Sequence, residues 1–431
     1  MIFGLCSRES DFITPQKAEN ILDIIIEEQD GCLWVATTER HRIEGLEVDP
    51  PHEIVRWGSI YWARVDRIDA KLDAAFLDLD GDTTGILFNK DTRSRDKDGK
   101  LIKGGQKPIG KTLKSGDFIL VQSKQGYLEP EFEDNRAYED KCPTVSMDVS
   151  IQGRYMIYTP LDDSNRISSR IRDKKLRGLL ESMMTALSDV HGCILRASAA
   201  NTQSDVLVRE AKVLKAIWEG LMEFAKGEEP ILIMDGPDAL QRSLSDNSMK
   251  PIRRIEVVTL EHFQTAEDWC ELFAPDLVTK IKPVELKNAS NDLALLDHYD
   301  LIKPIEELFQ PYAVLEGGGN IIIQTTSALI AIDVNRGADK NSNLTINLEA
   351  ATEAIRQIRI RNLGGIIMID FIRMKDDKER KQLLTHIERL INDDPCTVQI
   401  HGFTAMGLME ISRQRRTPTL FERVGYMFEE A

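Results

Sequence analysis

The sequence predicts a soluble α+β protein built from several domains. Its 431 residues are 42% hydrophobic and 6% aromatic, so the chain can bury real cores and is neither fibrous nor disordered. At ~100–200 residues per domain, this length corresponds to roughly two to four domains. Period-two apolar runs fill the early part of the chain, and helical and strand patterns mix after it. A single small module is therefore excluded.

The composition also limits the setting of the protein. No apolar run approaches the ~18 residues of a membrane helix, and the N-terminal letters lack the basic-then-apolar order of a signal peptide. We therefore expect a cytoplasmic protein without a membrane span. The net charge of -16 argues against coating nucleic acid by global charge, but local basic segments remain open. The six cysteines form no C-x-x-C pair, which predicts reduced thiols and no zinc site.

The first elements read as strands. Residues 20–48 predict a β-hairpin that turns at Asp30–Gly31, because ILDIIIEEQ and CLWVATTE flank this turn signal. From residue 58 to residue 88 the apolar period is two, with regular turn signals, as in a small antiparallel barrel.

One strand of this barrel, DAAFLDLD, places Ala75, Leu77 and Leu79 on one face. If that face is the core, Phe76 is a partly exposed aromatic of the kind on which OB-type barrels stack bases, worth ~1–3 kcal/mol per base. The alternative is that Phe76 packs under a loop or against a neighbouring domain.

Basic residues cluster in three segments. We interpret residues 93–115 as a long loop that leaves the barrel and contacts a phosphate backbone. The alternative for each segment is a solvated face. Residues 126–142 have no periodic apolar face, so we interpret them as an insertion. The basic residues are Arg93, Arg95, Lys97, Lys100, Lys103, Lys107, Lys111 and Lys114, then Arg356, Arg359 and Arg361, and then Arg413, Arg415, Arg416 and Arg423.

The middle of the chain predicts mixed units. VSIQGRYMIYTP and CILRAS are strand-like, whereas LRGLLESMMTALSDV and VLVREAKVLKAIWEGLMEFA have helical periodicity. A second α/β block runs from ILIMDG (231–236) to about residue 303.

The last block contains the most specific chemistry. GGGNIIIQTTSALIAIDVNRG predicts a hairpin that places Asp333 and Asn335 on one face at a strand end. A helix then crosses back to the apolar strand GGIIMIDFIRM, in which Asp370 is the one carboxylate. An ionised carboxylate there requires a partner. Either a helix arginine pairs with Asp370, or Asp333 and Asp370 jointly hold a divalent cation, for which magnesium is favoured. The second reading suggests metal-assisted phosphodiester chemistry.

These motifs, in this order, resemble the ribonuclease E/G family over nearly the whole chain. The most specific stretches are ALIAIDVN, NLEAATEAIRQIRIRNLGGIIMIDFIRM and GLMEISRQRRTPTL. GSIYWARVDRIDAKLDAAFLDL resembles the S1-type OB barrel of that family. The resemblance implies an RNase H-like subdomain (1–55 and 229–303) interrupted by the barrel (56–145) and a 5'-sensor subdomain (146–228). A DNase I-like catalytic subdomain (304–431) follows.

The resemblance also implies roles for individual residues. Magnesium would bind to Asp333 and Asp370, and Asn335 would be the catalytic asparagine. Phe76 and Lys141 would bind RNA in the barrel, and Arg196 would bind an RNA 5'-monophosphate in the sensor.

Several positions depart from the family pattern. The sensor threonine is replaced by Ala197 and a phosphate-contacting arginine by Ala405. Ile86 replaces the second barrel aromatic, and Gln324 and Ser327 replace an acidic pair. The cysteine pair that links protomers through zinc, and the small domain after it, are absent from this sequence. We therefore expect a zinc-free monomer or weak dimer.

The sequence thus predicts a magnesium-dependent endoribonuclease. By resemblance, it cleaves single-stranded RNA to products with a 5'-phosphate and a 3'-hydroxyl, in RNA processing or decay. The alternative is an RNA-binding protein on the same scaffold with weak or no catalysis. A protein-interaction scaffold without RNA is a third class, in which the two aspartates would have no purpose.

Overall fold

Antiparallel strands form the beginning of the described chain. The computed structural model describes residues 21–95, 101–128, 142–286 and 293–428. The turn between the first two strands has φ angles of 51° at Asp30 and 75° at Gly31, as in a tight hairpin turn. The predicted hairpin is therefore confirmed. The strands are β1 (Leu22–Gln29), β2 (Cys32–Glu39), β3 (Arg42–Asp49) and β4 (Glu53–Val55).

A closed five-stranded barrel follows. Its order is β5-β6-β7-β12-β10, and β10 pairs back with β5. Ala75, Leu77 and Leu79 are all 0% exposed inside it, as their alternation predicted. The barrel is consistent with an OB fold. The strands of this region are β5 (Ile60–Asp69), β6 (Ala74–Asp78), β7 (Thr84–Phe88), β8 (Arg93–Arg95), β9 (Leu101–Lys103), β10 (Phe118–Ser123), β11 (Tyr127–Leu128) and β12 (Thr144–Ser146).

The basic stretch after β7 is more ordered than the sequence predicted. β8 and β9 pair as antiparallel strands, and a 3-10 turn forms at Ile109–Lys111. The predicted excursion from the barrel between β7 and β10 is present, but it contains this short strand pair and a 3-10 turn, which the prediction of one long loop did not include. Ile109 and Leu113 pack into the barrel core, and these two apolar anchors were hidden by the surrounding lysines. Most of the predicted insertion at residues 126–142 lies outside the described residues.

The next unit contains a small four-stranded sheet and two helices. The sheet order is β13-β14-β16-β15. The predicted strand VSIQGRYMIYTP contains two short strands, whereas both predicted helices form. The elements are β13 (Ile151–Gln152), β14 (Met156–Tyr158), β15 (Arg166–Ile167), α1 (Lys174–Met184), β16 (Cys193–Leu195) and α2 (Ser204–Phe224).

The chain then returns to its first sheet. β17 pairs with β5 and so extends the barrel sheet. β18 pairs in parallel with β1, which gives the sheet order β19-β18-β1-β2-β3. Strands on both sides of the barrel in sequence therefore share one sheet. The elements are β17 (Ile231–Met234), α3 (Ala239–Asp246), β18 (Ile252–Val257), α4 (Leu260–Phe273), α5 (Pro275–Val278), β19 (Ile281–Pro283), α6 (Ala294–His298) and α7 (Ile302–Glu307).

A six-stranded sheet fills the C-terminal part, in the order β20-β21-β22-β23-β25-β24. One face packs against α8 and α9 through a continuous apolar core. The opposite face is largely exposed. The elements are β20 (Tyr312–Val314), β21 (Asn320–Thr325), β22 (Ile330–Asn335), α8 (Asn343–Ile360), β23 (Gly365–Asp370), α9 (Asp377–Leu390), β24 (Val398–Phe403), β25 (Met409–Arg413) and α10 (Leu420–Val424).

None of the helices formed by the described residues has the length and apolar content that a bilayer-spanning segment requires.

Candidate active site

Two carboxylates lie side by side on the exposed face of the six-stranded sheet. Asp333 in β22 is directly opposite Asp370 in β23, and the two strands are parallel. Neighbouring strands are about 4.8 Å apart, so the backbones of the two residues are at that spacing. Ile332 and Ile369 are buried on the other face. Because strand residues alternate, this burial places both aspartates on the exposed face.

Asn335 shares this face with Asp333. Its Nδ2 donates a 3.0 Å hydrogen bond to Oδ2 of Asp333, which fixes the amide beside the carboxylate. The backbone behind it is tightly packed, because Gly337 has a φ of 54° and a Cβ there would lie 2.4 Å from the carbonyl oxygen of Gly318. The turn at Gly337, which follows β22, is therefore packed closely against the turn at Gly318.

The carboxylates have no cationic partner in the part of the chain that the structure describes. The hydrogen bond from Asn335 is the one side-chain contact of Asp333, and no ion pair involves Asp333 or Asp370. Two like charges at this spacing repel each other unless a cation lies between them.

The alternative prediction, in which an arginine of the crossing helix pairs with Asp370, is wrong. Arg356 and Arg359 of α8 instead pair with Glu44, and Arg356 also pairs with Glu353. Arg361 donates to backbone carbonyl oxygens of the segment that leads into β20. The physical reason is topological: α8 covers the buried face of the sheet, whereas the aspartates occupy the opposite face.

The donor set fits magnesium. Two carboxylates and an amide provide hard oxygen ligands, and Mg²⁺ typically uses one or two carboxylates together with waters and substrate phosphate. Among residues 21–95, 101–128, 142–286 and 293–428, no group of three or more His, Cys, Asp or Glu side chains could hold a metal. The pair does not match the closed ligand sets of structural zinc.

The predicted aromatic of the barrel lies on its outer surface. Phe76 is half-buried and neighbours Arg67 and Ile86 across the adjacent strands. The Arg67 guanidinium lies 3.7 Å from the centre of the Phe76 ring, in a cation–π contact. Among the described residues, Arg67 is the cation that lies over this ring, and base stacking at Phe76 stays a prediction.

The basic segment between β7 and β10 contains two kinds of side chain. Arg93 is buried and bonded to Asp148 and to the carbonyl oxygen of Thr92, so it is structural. Four lysines are exposed, and within the described residues no carboxylate pairs with them. They are Lys103, Lys107, Lys111 and Lys114. Lys141, the predicted barrel lysine, lies outside the described residues.

The predicted sensor arginine is engaged within the protein. Arg196 is half-buried, and its guanidinium donates to Oε1 of Gln152 at 2.6 Å and to the carbonyl oxygen of Ser245 at 3.4 Å. Burial lowers its pKa from the ordinary arginine value. Contact with RNA at Arg196 stays a prediction, but two of its donors already have protein partners.

The C-terminal arginines are also structural. Arg413 pairs with Asp394, Arg416 pairs with Asp246, and Arg415 pairs with Glu422. Arg423 is 1% exposed and donates to the carbonyl oxygen of Val48. The solvated-face interpretation is therefore wrong for Arg413, Arg416 and Arg423, which are largely buried, whereas the Arg415–Glu422 pair is partly exposed.

Sequence reasoning missed two neighbours of the predicted site residues. Arg67 covers Phe76, and Ile322 lies opposite Asp333 on the strand on its other side. Only strand register brings these residues together. Nothing in the local sequence could have identified Ile322, whereas Arg67 carried a weak signal as a charged residue on the same barrel face as Phe76.

The family model described as "Ribonuclease E/G family" matches residues 150–416. Among curated relatives, a ribonuclease E of Haemophilus influenzae is 29% identical over 90% of this chain and 41% of its own length. A ribonuclease E of Synechocystis sp. is 30% identical over 85% of this chain and 53% of its own length. A ribonuclease G of Salmonella typhimurium is 28% identical over 83% of this chain and 72% of its own length.

The chain therefore spans about half or less of the ribonuclease E relatives and most of the ribonuclease G relative. The family model covers well over half of the chain and includes both aspartates and Asn335. Since the model match and the relatives agree, the chain belongs to the ribonuclease E/G family.

Proposed function

We propose that this chain is an endoribonuclease that hydrolyses phosphodiester bonds of single-stranded RNA, leaving a 5'-phosphate and a 3'-hydroxyl. The observation that carries the proposal is the Asp333–Asp370 pair, in register on parallel strands and exposed. No positively charged side chain of the described residues forms an ion pair with either aspartate. The names of the relatives, ribonuclease E and ribonuclease G, support RNA as the substrate.

Asp333 and Asp370 would hold Mg²⁺ on this face of the sheet. The chemistry that this ion supplies at such sites is neutralisation of phosphate charge and activation of water. Asn335, held beside Asp333 by its hydrogen bond, orients water or a phosphate oxygen. Hydrolysis adds the elements of water across the bond between phosphorus and the leaving 3'-oxygen.

The barrel binds the substrate in this proposal. Phe76, together with the Arg67 guanidinium that covers its ring, provides the surface on which a base stacks. The exposed lysines Lys103, Lys107, Lys111 and Lys114 neutralise backbone phosphates. In this proposal the barrel determines the affinity for RNA, whereas the two aspartates determine the rate of cleavage.

A binding protein with weak or no catalysis is the second candidate. Gln324 and Ser327 favour it, because by resemblance they replace an acidic pair, and Gln324 lies opposite Ala331, two residues before Asp333 on β22. The altered sensor positions Ala197 and Ala405 favour it as well. The division into RNase H-like, sensor-like and DNase I-like subdomains, the cytoplasmic location, the absence of zinc and the monomeric or weakly dimeric state stay predictions.

A cleavage assay on a fluorescent single-stranded oligonucleotide tests the proposal. We expect cleavage with magnesium, none with EDTA, and products that a 5'-monophosphate-dependent exonuclease degrades. Binding without cleavage would favour the second candidate. Cleavage that EDTA does not affect, or products with a cyclic phosphate end, would rule out the metal-assisted mechanism.

A further inference from the structure

An apolar cleft lies on the sheet face next to the two aspartates. It has a volume of about 420 Å³, and β20, β21 and the Gly318–Gly319 turn form its walls. Tyr312, Val314 and Ile322 line it and are 47%, 70% and 36% exposed. Large apolar side chains concentrated in one exposed cleft mark a binding surface more often than chance scatter does.

The strand register fixes where this cleft lies. Ile322 is opposite Asp333 on one side and opposite Tyr312 on the other, and Asn320 is likewise between Asn335 and Val314. At about 4.8 Å per strand, the backbone of Tyr312 is about 10 Å from that of Asp333. The cleft therefore begins on the strand adjacent to the candidate metal ligands.

The cleft is held in place from behind. Arg361 donates to the carbonyl oxygens of Gln310 and Tyr312. The amide of Ile323 donates to the carbonyl oxygen of Pro311 at 2.7 Å. Both interactions fix the edge strand β20 against the sheet, so the cleft walls are formed before any ligand binds.

Charge decides between two possible occupants. A second copy of this chain, docked here, would cover the unpaired carboxylates beside the cleft, and burying uncompensated charge is costly. The cleft is lined by seven residues, far fewer than the ~20–30 residues a side of a standard interface. A nucleotide avoids both difficulties, because one flat base fits the size of the cleft and leaves the two aspartates beside it uncovered.

We propose that this cleft binds one unpaired nucleobase of the RNA, the base adjoining the phosphodiester bound at Asp333 and Asp370. The base stacks on Tyr312 and contacts Val314 and Ile322, and the amide of Asn320 hydrogen-bonds to its edge. Tyr312 is thereby a residue that positions the substrate and gives the nuclease a preference near its cleavage site. This inference rests on the proposed function.

A substrate scan with single abasic positions tests the proposal. Each nucleotide near the mapped cleavage site is replaced in turn. For the wild-type protein, we expect one abasic position to lower kcat/KM by about 5- to 100-fold, the range of one stacked base. Tyr312→Ala should lower kcat/KM on the intact substrate by a similar factor. In this variant, an abasic nucleotide at that one position should no longer lower kcat/KM further. In Tyr312→Phe, the abasic nucleotide at that position should lower kcat/KM as it does in the wild-type protein.

Ile366→Ala is the matched control, because Ile366 is 50% exposed on the same sheet face but lies on β23, at the end away from Asp370. It should behave as wild type. Equal sensitivity to every abasic position in the wild-type and Tyr312→Ala proteins would overturn the proposal.

A binding measurement separates this proposal from the proposed function. Oligonucleotides with 2-aminopurine at one position are titrated with the Asp370→Asn variant, which removes a metal ligand. We expect quenching at one position and its loss when Tyr312→Ala is added. This result would stand even if the wild-type protein cleaves nothing. Quenching that Tyr312→Ala does not change, or a drop in oligomeric mass in Tyr312→Ala without loss of base sensitivity, would assign the cleft to another occupant.

Discussion

Two pairs of charged residues in the C-terminal part of the chain have opposite surroundings: Arg413 lies on β25 and pairs with Asp394 in the loop before β24, whereas Asp333 and Asp370 both lie on strands of the sheet. Arg413 and Asp394 are buried, with side chains 1% and 2% exposed, and they bond to each other at 2.8 Å. Asp333 and Asp370 carry like charges and lie exposed on the other face. The Arg413–Asp394 pair neutralises its own charge. The two negative charges of Asp333 and Asp370 have no cationic side chain beside them among the described residues. Function is expected where charge is left uncompensated.

The buried pair should dominate stability. Replacing Arg413 by Met leaves the Asp394 carboxylate without its cation, and also removes donors to Asn362 and Leu363. We expect the free energy of unfolding to fall by about 3–5 kcal/mol. Urea denaturation measures this, with Arg380→Met as the control, since Arg380 and its partner Asp377 are 49% and 99% exposed. If Arg413→Met and Arg380→Met lowered the free energy of unfolding equally, the buried pair would contribute no more to stability than the exposed pair.

The exposed pair should dominate the reaction. Asp333→Asn or Asp370→Asn removes charge from the cation site, so we expect kcat/KM for RNA cleavage to fall by roughly 10²-fold or more. RNA affinity should stay within a few-fold, because phosphate contacts elsewhere survive. The free energy of unfolding should change by less than about 0.5 kcal/mol. The charge-matched control is Asp377→Asn. Unchanged cleavage in both site variants would eliminate this site.

Glu210 provides an intermediate case, a buried carboxylate bonded to backbone rather than to a cation. It accepts hydrogen bonds from the amides of Tyr155 and Met156. Burial raises its pKa from 4.5 to about 7. Between these values the folded state holds a proton that the unfolded state has released, so stability falls as pH rises, by up to about 3 kcal/mol.

Glu210→Gln should remove this pH dependence, because the amide cannot ionise. Urea denaturation at pH 5 and pH 8 should show a smaller difference in the variant than in wild type. Glu219→Gln, at an exposed position of the same helix, should retain the wild-type difference. A wild-type pH dependence in Glu210→Gln would refute the assignment.

The barrel should determine affinity without determining rate. Phe76→Ala removes one stacking face, and we expect RNA binding to weaken by about 1–3 kcal/mol. Affinity should also fall steeply with salt, since lysines neutralise phosphates. Titrations at two salt concentrations measure both effects, with Phe224→Ala as the control, because Phe224 is 64% exposed on α2. A flat salt response with a neutral Phe76→Ala would leave the barrel without an RNA role.

The smallest effect is expected at RNA ends. Recognition of a 5'-monophosphate requires several converging donors, but Arg196 already donates to Gln152 and Ser245, and Ala197 and Ala405 have no side-chain donors. We expect cleavage rates of 5'-monophosphate and 5'-hydroxyl substrates to differ by less than about threefold, under 1 kcal/mol. Parallel rate measurements on the two substrates test this. A preference of roughly tenfold or more would show that the sensor still functions.

The sequence by itself determined the elements whose pattern is local. Alternation in DAAFLDLD placed Leu77 inside the barrel and Phe76 outside it, and Asp30–Gly31 specified the first hairpin. The helix between β22 and β23 implied a parallel pair, which brought Asp333 beside Asp370. These inferences succeeded because side-chain period and turn chemistry depend on neighbouring residues only.

Only the tertiary structure decided which charges are available to a ligand. Arg356, Arg413 and Arg416 looked equivalent to surface lysines in the sequence, yet each compensates an acid from a distant segment. The cleft at Tyr312 likewise exists because an edge strand pairs in one register with β21. The physical reason is that compensation of charge depends on contacts between residues far apart in the chain, which no local pattern encodes.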